Sequence, residues 1–94
     1  MLSKLPKKID ISDQILFQEI EGESVLLDLE TEKYYGLDET GTRIWHLLSN
    51  NENAENVLNI LQNEYAVDAE TLHDDLLSIL NDFQSNGLIK ITER

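Results

Sequence analysis

The sequence lacks cysteine altogether, contains one proline and has only seven Lys and Arg residues among 94. Without a thiol the chain cannot build a disulfide framework, a thiolate metal site or a Cys nucleophile. Such a chain suits a reducing compartment, so we expect it in the cytoplasm. No window approaches the roughly 18 uninterrupted apolar residues of a membrane-spanning helix, and the first residues lack the apolar stretch of a secretory signal. Neither membrane contact nor export is expected.

Basic residues are far outnumbered by the 19 acidic ones, which gives a formal net charge of −12. Because this charge repels the phosphates of nucleic acids and of anionic lipids, neither is an expected partner. Cationic or neutral ligands are favoured. A chain of this length supports one domain, because two separate cores would each bury too little surface.

Catalytic and metal-binding patterns are also missing from the sequence. His46 and His73 have no second His or Cys at metal-ligand spacing, so we expect structural or surface histidines. The four glycines are dispersed at predicted turns and element ends, which excludes a phosphate-binding loop. Adjacent carboxylates such as Asp74 and Asp75 are uninformative in so acidic a chain. We therefore expect no catalysis, no metal and no cofactor, and an enzyme with an unrecognised site remains an alternative.

The first half of the sequence has the pattern of a small antiparallel sheet. Residues 1–13 show no sustained periodicity and are predicted to form a frayed or loosely docked arm, with the folded domain over residues 14–94. Apolar residues at 15–17 and 20 lead to a turn at Glu21 and Gly22, and Val25, Leu27 and Leu29 then alternate. A third short strand is predicted over residues 33–37. The expected fold class is therefore α+β, beginning with a three-stranded meander.

Three helices are predicted in the second half. Asp38 caps a helix over residues 39–48, a polar cluster precedes a helix over 54–65, and Asp68 caps the longest helix, which ends near Gly87. The chain beyond it forms a last short strand or covers the core. The apolar arc of the third helix spans about 160°, wider than the roughly 100° that a core-facing helix needs. Part of this arc is therefore available to line a ligand groove, although a simple core helix is the alternative.

The segment from Ser24 to Leu48 resembles the PqqD-like family of precursor-peptide recognition elements. It has an aromatic-Gly-Leu strand at residues 35–37, then Gly-x-x-Ile-Trp at residues 41–45, and the chain later has Gly-Leu-Ile at residues 87–89. The similarity runs from about Gln14 to Ile91. It implies a winged helix-turn-helix domain in which a three-stranded antiparallel sheet is followed by three helices.

The resemblance also implies a function, which is capture of the leader segment of a ribosomally made precursor peptide without catalysis. The leader would pair as an added strand along the third strand, in a groove closed by the third helix. It would then be delivered to a separate maturation enzyme, either a radical enzyme or the leader protease and cyclase of a lasso-peptide pathway.

An unpaired edge strand suits this mechanism, because its free backbone groups can pair with a peptide while side-chain pockets provide specificity. Period-two alternation places Tyr35 and Leu37 inward, against Ile44 and Trp45, and we expect Trp45 to be a core residue. Asp75 is expected at the rim of the groove, where it would tune affinity. The predicted peptide-binding residues are Lys33, Tyr34, Tyr35, Gly36, Leu37, Leu72, Asp75, Leu76 and Ile79.

Two other functions fit a small domain of this kind. A generic protein-protein adaptor without peptide specificity is not excluded by the sequence. A DNA-binding winged helix is disfavoured, because residues 68–87 contain five acidic residues and no Lys or Arg.

Overall fold

A three-stranded meander followed by three helices forms most of the computed structural model, which describes residues 5–6, 8–50 and 53–92. The α+β winged-helix arrangement expected from the sequence is confirmed. The strands are β1 (Lys8–Ile11), β2 (Ile15–Ile20), β3 (Glu23–Asp28), β4 (Tyr34–Leu37) and β5 (Ile89–Thr92). The helices are α1 (Glu39–Ser49), α2 (Ala54–Glu64) and α3 (Ala69–Ser85). No helix in the described part of the chain is both long and apolar enough to cross a bilayer.

The meander has the strand order β2-β3-β4, with both pairs antiparallel. Glu21 and Gly22 connect β2 to β3 with φ angles of 53° and 86°, the left-handed pair that a tight hairpin requires. At the other end of β3 the carboxylate of Asp28 accepts the backbone N–H groups of Glu30 and Thr31, at 2.9 and 3.3 Å. The buried Asp28 therefore ends the strand and orders the loop that leads to β4.

The two faces of β3 are reversed relative to its most visible apolar alternation. Ser24, Leu26 and Asp28 are buried, whereas Val25 and Leu29 are exposed. The alternating Val25, Leu27 and Leu29 predicted the strand but do not form its core face. Because Leu26, between Val25 and Leu27, is also apolar, the alternation alone does not determine which set of residues faces the core.

A second, two-stranded sheet corrects the expectation for the start of the chain. Residues 8–11, predicted to lie in a loosely docked arm, form β1 and pair antiparallel with β5. Ile9 and Ile11 pack against the core from this strand. The C-terminal residues from Ile89 to Thr92 thus form a strand and do not merely cover the core.

Helix α1 packs on β3 and β4, α2 packs on the other two helices, and α3 also contacts β5. Asp38, Asn53 and Asp68 cap the three helices, each accepting a backbone N–H from the first turn. The second helix ends at Glu64, one residue earlier than predicted, because Tyr65 has an extended backbone. Gly87 follows α3 with φ of 75°, in the position predicted for a left-handed residue.

The core contains buried residues from all three helices and from β3 and β5. The rings of Trp45 and Phe83 meet edge to face with centroids 5.4 Å apart, which joins α1 to α3. Trp45 is buried, as predicted. The buried hydroxyls of Ser24 on β3 and Thr42 on α1 form a 2.7 Å hydrogen bond, which links α1 to the sheet.

Candidate functional site

The free edge of β4 is the first element of the candidate site. Among the described strands, β4 pairs only with β3, in the register that sets Leu26 opposite Tyr35 and Val25 opposite Gly36. The backbone N–H of Asp28 donates to the carbonyl of Lys33 at 2.9 Å, so Asp28 and Lys33 are a hydrogen-bonded pair of the two strands. This pair determines which residues of β4 bond to β3. Since backbone groups in an antiparallel pair alternate in direction, Tyr35 and Leu37 bond to β3, whereas Tyr34 and Gly36 point outward. The edge therefore offers two donors and two acceptors.

A groove of about 460 Å³ lies beside this edge, between β4 and the C-terminal half of α3. Its apolar walls come from β4 on one side and from Ile79 and Phe83 on the other. Polar groups of Asp38, Asp82 and Asn86 also line it. The complete lining is Tyr35, Gly36, Leu37, Asp38, Gly41, Ile79, Asp82, Phe83, Asn86 and Leu88.

Four of the nine predicted peptide-binding residues line the groove, namely Tyr35, Gly36, Leu37 and Ile79. Tyr35 and Leu37 are half-buried and pack against the core, as their inward orientation predicted. Tyr34 lies at the free edge through its backbone, but its side chain is 71% exposed on the opposite face of the sheet.

The other four predicted residues lie outside the groove. Lys33 precedes β4 and is exposed. Leu72 and Leu76 belong to the core, with 5% and 1% of their surface exposed, so neither offers a surface for a peptide in this conformation. Asp75 is exposed on the first half of α3 and does not line the groove. Helical periodicity identified the apolar face of α3 but not the turn at which that face meets β4.

The lining residues that were not predicted to bind a peptide are Asp38, Gly41, Asp82, Phe83, Asn86 and Leu88. Phe83 and Asn86 follow the predicted Ile79 at spacings of four and three, so the same periodicity, continued beyond Ile79, would have included both. Gly41 contributes by its small size. A Cβ there would lie 3.4 Å from both the Asp38 carboxylate and the Leu37 side chain, so glycine lets α1 start close to β4.

The charge of the groove is negative. Asp38 and Asp82 are the charged side chains among the described residues that line it, and none of those residues is Lys or Arg. Arg43, two residues after Gly41, is engaged elsewhere, since its guanidinium donates to Glu64 on α2. This hydrogen bond raises the pKa of Arg43 and lowers the pKa of Glu64. The groove thus favours cationic or neutral ligands, as the composition predicts.

Both histidines lie apart from the groove lining. His46 hydrogen-bonds Glu19 on β2, and its ring meets Phe17 edge to face. His73 is buried in α3, and its Nδ1 has no hydrogen-bond partner among the described residues. No group of three or more potential metal ligands occurs within residues 5–6, 8–50 and 53–92.

A winged-helix domain with an open sheet edge beside an apolar groove is the class of protein that these features define. The family model for PqqD, coenzyme PQQ synthesis protein D, matches residues 23–89, which include the edge strand and the whole of α3. The chain therefore belongs to the PqqD family. No curated protein matches it.

Two solved structures are similar to the chain. One is described as TbiB1 in complex with the TbiA(beta) leader peptide; it is 37% identical, with a TM-score of 0.83 over 86% of this chain and 94% of that one. The other is described as lasso peptide synthetase B1 complexed with the leader peptide. It is 22% identical, with a TM-score of 0.79 over 87% of this chain and 96% of that one, and shows that the fold is shared.

Proposed function

We propose that this protein binds the leader segment of a ribosomally synthesised precursor peptide as an added β-strand on β4 and delivers it to a separate maturation enzyme. The observation that carries the proposal is the free edge of β4 beside the groove. Membership of the PqqD family and the likeness to TbiB1, whose structure contains a leader peptide, support it. The protein acts as a binding module, and the chemistry belongs to the enzyme that receives the leader.

Backbone pairing provides the part of the affinity that does not depend on the leader's sequence. The N–H and C=O groups of Tyr34 and Gly36 allow up to four hydrogen bonds to an incoming strand. At about 0.5–1.5 kcal/mol each, four bonds contribute about 2–6 kcal/mol. This is less than the roughly 8 kcal/mol of micromolar binding, so side-chain contacts are also required.

The groove supplies those contacts. Alternate side chains of an added strand point to one face of the sheet, so about every second leader residue would enter the space between β4 and α3. An apolar leader residue buried against Ile79 and Phe83 contributes about 1.5–3 kcal/mol. The carboxylates of Asp38 and Asp82 select against acidic leader residues at the rim, where an exposed ion pair is worth only about 0–1 kcal/mol.

Calorimetric titration with synthetic leader peptides, taken from short reading frames beside the gene, tests the proposal. Ile79→Ala and Leu77→Ala form a matched pair, because both residues are half-buried on α3 but only Ile79 lines the groove. We expect the Kd to rise about tenfold for Ile79→Ala, from the loss of apolar contact, and by less than about twofold for Leu77→Ala.

Equal effects of the two variants would contradict binding in the groove. If no neighbouring leader binds the wild-type protein, leader capture is wrong and a generic adaptor becomes the better description. Binding to duplex DNA would contradict both leader capture and the adaptor function. The acidic surface of α3 argues against DNA binding.

A further inference from the structure

The outer face of the meander, which faces away from the helices, is unusually apolar. Its exposed large side chains include Leu16, Ile20, Val25 and Leu29, and Tyr34 belongs to the same face. The strand pairing makes the face continuous. Leu16, Leu27 and Tyr34 form one row across the three strands, and Gln18, Val25 and Gly36 form the next. From Leu29 to Ile20 the face extends roughly 20 Å, at about 7 Å for every second residue.

This composition does not serve the fold of the described chain. A half-exposed antiparallel sheet ordinarily has polar residues on its solvent face. Here α1 packs on the inner face and α3 lies across the groove from β4 on that same side, and no described element covers the outer face. Ile20 and Leu16 are 66% and 54% exposed. A contiguous apolar surface of this kind marks an interaction site.

Carboxylates border one end of the face. A hollow of about 780 Å³ there is lined by Ile20, Val25 and Gly36 together with Glu21, Glu23 and Asp38, and none of the described residues that line it is Lys or Arg. This border argues against a second copy of the chain, because each copy carries a net charge of −12 and would bring like charges together. It fits a partner whose apolar surface is bordered by Lys and Arg.

The position of the face indicates which partner this is. The outer face ends at the free edge of β4, where Gly36 belongs both to the hollow and to the groove. A protein seated on the face would therefore lie directly beside a leader strand paired with β4. The helices lie on the other side of the sheet and leave this approach open.

We propose that the outer face of the meander is the docking surface for the maturation enzyme, which contacts it with an apolar patch bordered by basic residues. The inference rests on the proposed function, because it identifies the partner as the enzyme that receives the leader. Recognition of the enzyme and recognition of the leader then use opposite sides of the same three strands, and each can be removed without the other.

The test measures binding of each purified modifying enzyme encoded beside the gene to the immobilised full-length protein, by biolayer interferometry, and leader binding in parallel. Val25→Thr on the outer face is compared with Val67→Thr on the α2–α3 loop, since the two valines are 44% and 46% exposed. Threonine keeps the β-branch that a strand favours. We expect the enzyme's Kd to rise about fivefold for Val25→Thr and about tenfold or more when Leu16→Thr is added, with no change for Val67→Thr.

A second pair of variants tests the charge of the border. Glu23→Gln and Asn59→Lys each change the net charge by one positive unit, but only Glu23 lies on the outer face. We expect Glu23→Gln to weaken enzyme binding about twofold to fivefold at low salt, with the difference disappearing at high salt, and Asn59→Lys to have no such effect.

The leader titration separates failure of this inference from failure of the proposed function. The outer-face variants should bind the leader like wild type. If the outer-face variants bind the enzyme with the same affinity as wild type, the docking surface is refuted while leader capture stands. The same holds if wild type binds the leader but no neighbouring enzyme. If an enzyme binds through the outer face and no leader binds, leader capture is refuted while the docking surface stands.

Discussion

Replacing Gly36 by proline tests whether a peptide pairs with β4, because it removes one outward-facing N–H group. Register and alternation give that N–H no partner on β3. Proline is tolerated on an edge strand where the N–H faces solvent, so we expect the free energy of unfolding to change by less than about 1 kcal/mol. The leader, in contrast, would lose one hydrogen bond and keep an unpaired carbonyl.

The expected loss of affinity follows from those two terms. A lost hydrogen bond and an unsatisfied acceptor together cost about 1–3 kcal/mol, which raises the Kd about 5-fold to 150-fold. Gly36→Ala is the control, since it keeps the N–H. A Cβ at this position meets no atom within 4 Å, and the backbone is outside the left-handed region, so alanine should bind the leader within about twofold of wild type.

Proline at the neighbouring position, Tyr35, should instead lower the stability of the fold. The N–H of Tyr35 faces the fully buried Leu26 of β3, so Tyr35→Pro leaves a buried carbonyl unpaired and loses the packing of the ring. We expect a loss of about 2–4 kcal/mol in stability, or roughly 10–30 °C in Tm. Thermal denaturation followed by circular dichroism measures the stability of each variant, and calorimetry measures its affinity for the leader.

Wild-type leader affinity in Gly36→Pro, or an equal loss of affinity in Gly36→Ala, would refute pairing of the leader at this edge.

Three further predictions concern the scaffold. Ser24→Ala and Thr42→Val should each cost about 1–2 kcal/mol, and the double variant should cost about 1 kcal/mol less than their sum, as measured by urea denaturation, because one buried hydrogen bond links them; strict additivity would contradict that link. The hydrogen bond from Arg43 lowers the pKa of Glu64, so the stability from this ion pair is complete above the ordinary glutamate pKa of about 4.3 and is lost as the pH falls through the lower folded-state pKa. Glu64→Gln should therefore remove a dependence of about 0.2–1 kcal/mol from the acid side of the stability curve, and an unchanged curve would argue against the pair. Gly87→Ala should lower stability by about 1–2 kcal/mol in thermal denaturation, because φ is 75° and the space around the site is open; an increase, as expected for a glycine with negative φ, would contradict the left-handed backbone.

The features that the sequence predicted depend on residues close together in the chain. The turn at Glu21 and Gly22 and the capping aspartates Asp38 and Asp68 are local signals, and the structure contains each of them. The inward orientation of Tyr35 followed from alternation over four residues. These parts of the fold require no knowledge of which elements meet.

The features that could not be predicted depend on contacts between distant segments. The pairing of β1 with β5 leaves no local signature, since both strands are only four residues long. The crossing point of α3 over β4 is set by how the helix packs on α1 through Trp45 and Phe83, so Leu72 and Leu76 could not be separated in advance from Ile79. The apolar outer face could not be predicted, because its residues, taken one strand at a time, have the pattern of ordinary strand formers.

The short pairing of β1 with β5 joins partners that are about 80 residues apart in the chain, whereas the meander and helices close through much shorter loops. Its loop-closure entropy and contact order are therefore the highest in the domain, and it should form last and open first. Beside this pairing, the N–H of Ser12 donates to the carbonyl of Leu88, a residue of the groove lining. The groove wall at Leu88 thus loses a backbone hydrogen bond when the two distant segments separate, and a ligand held there should slow amide exchange in β1.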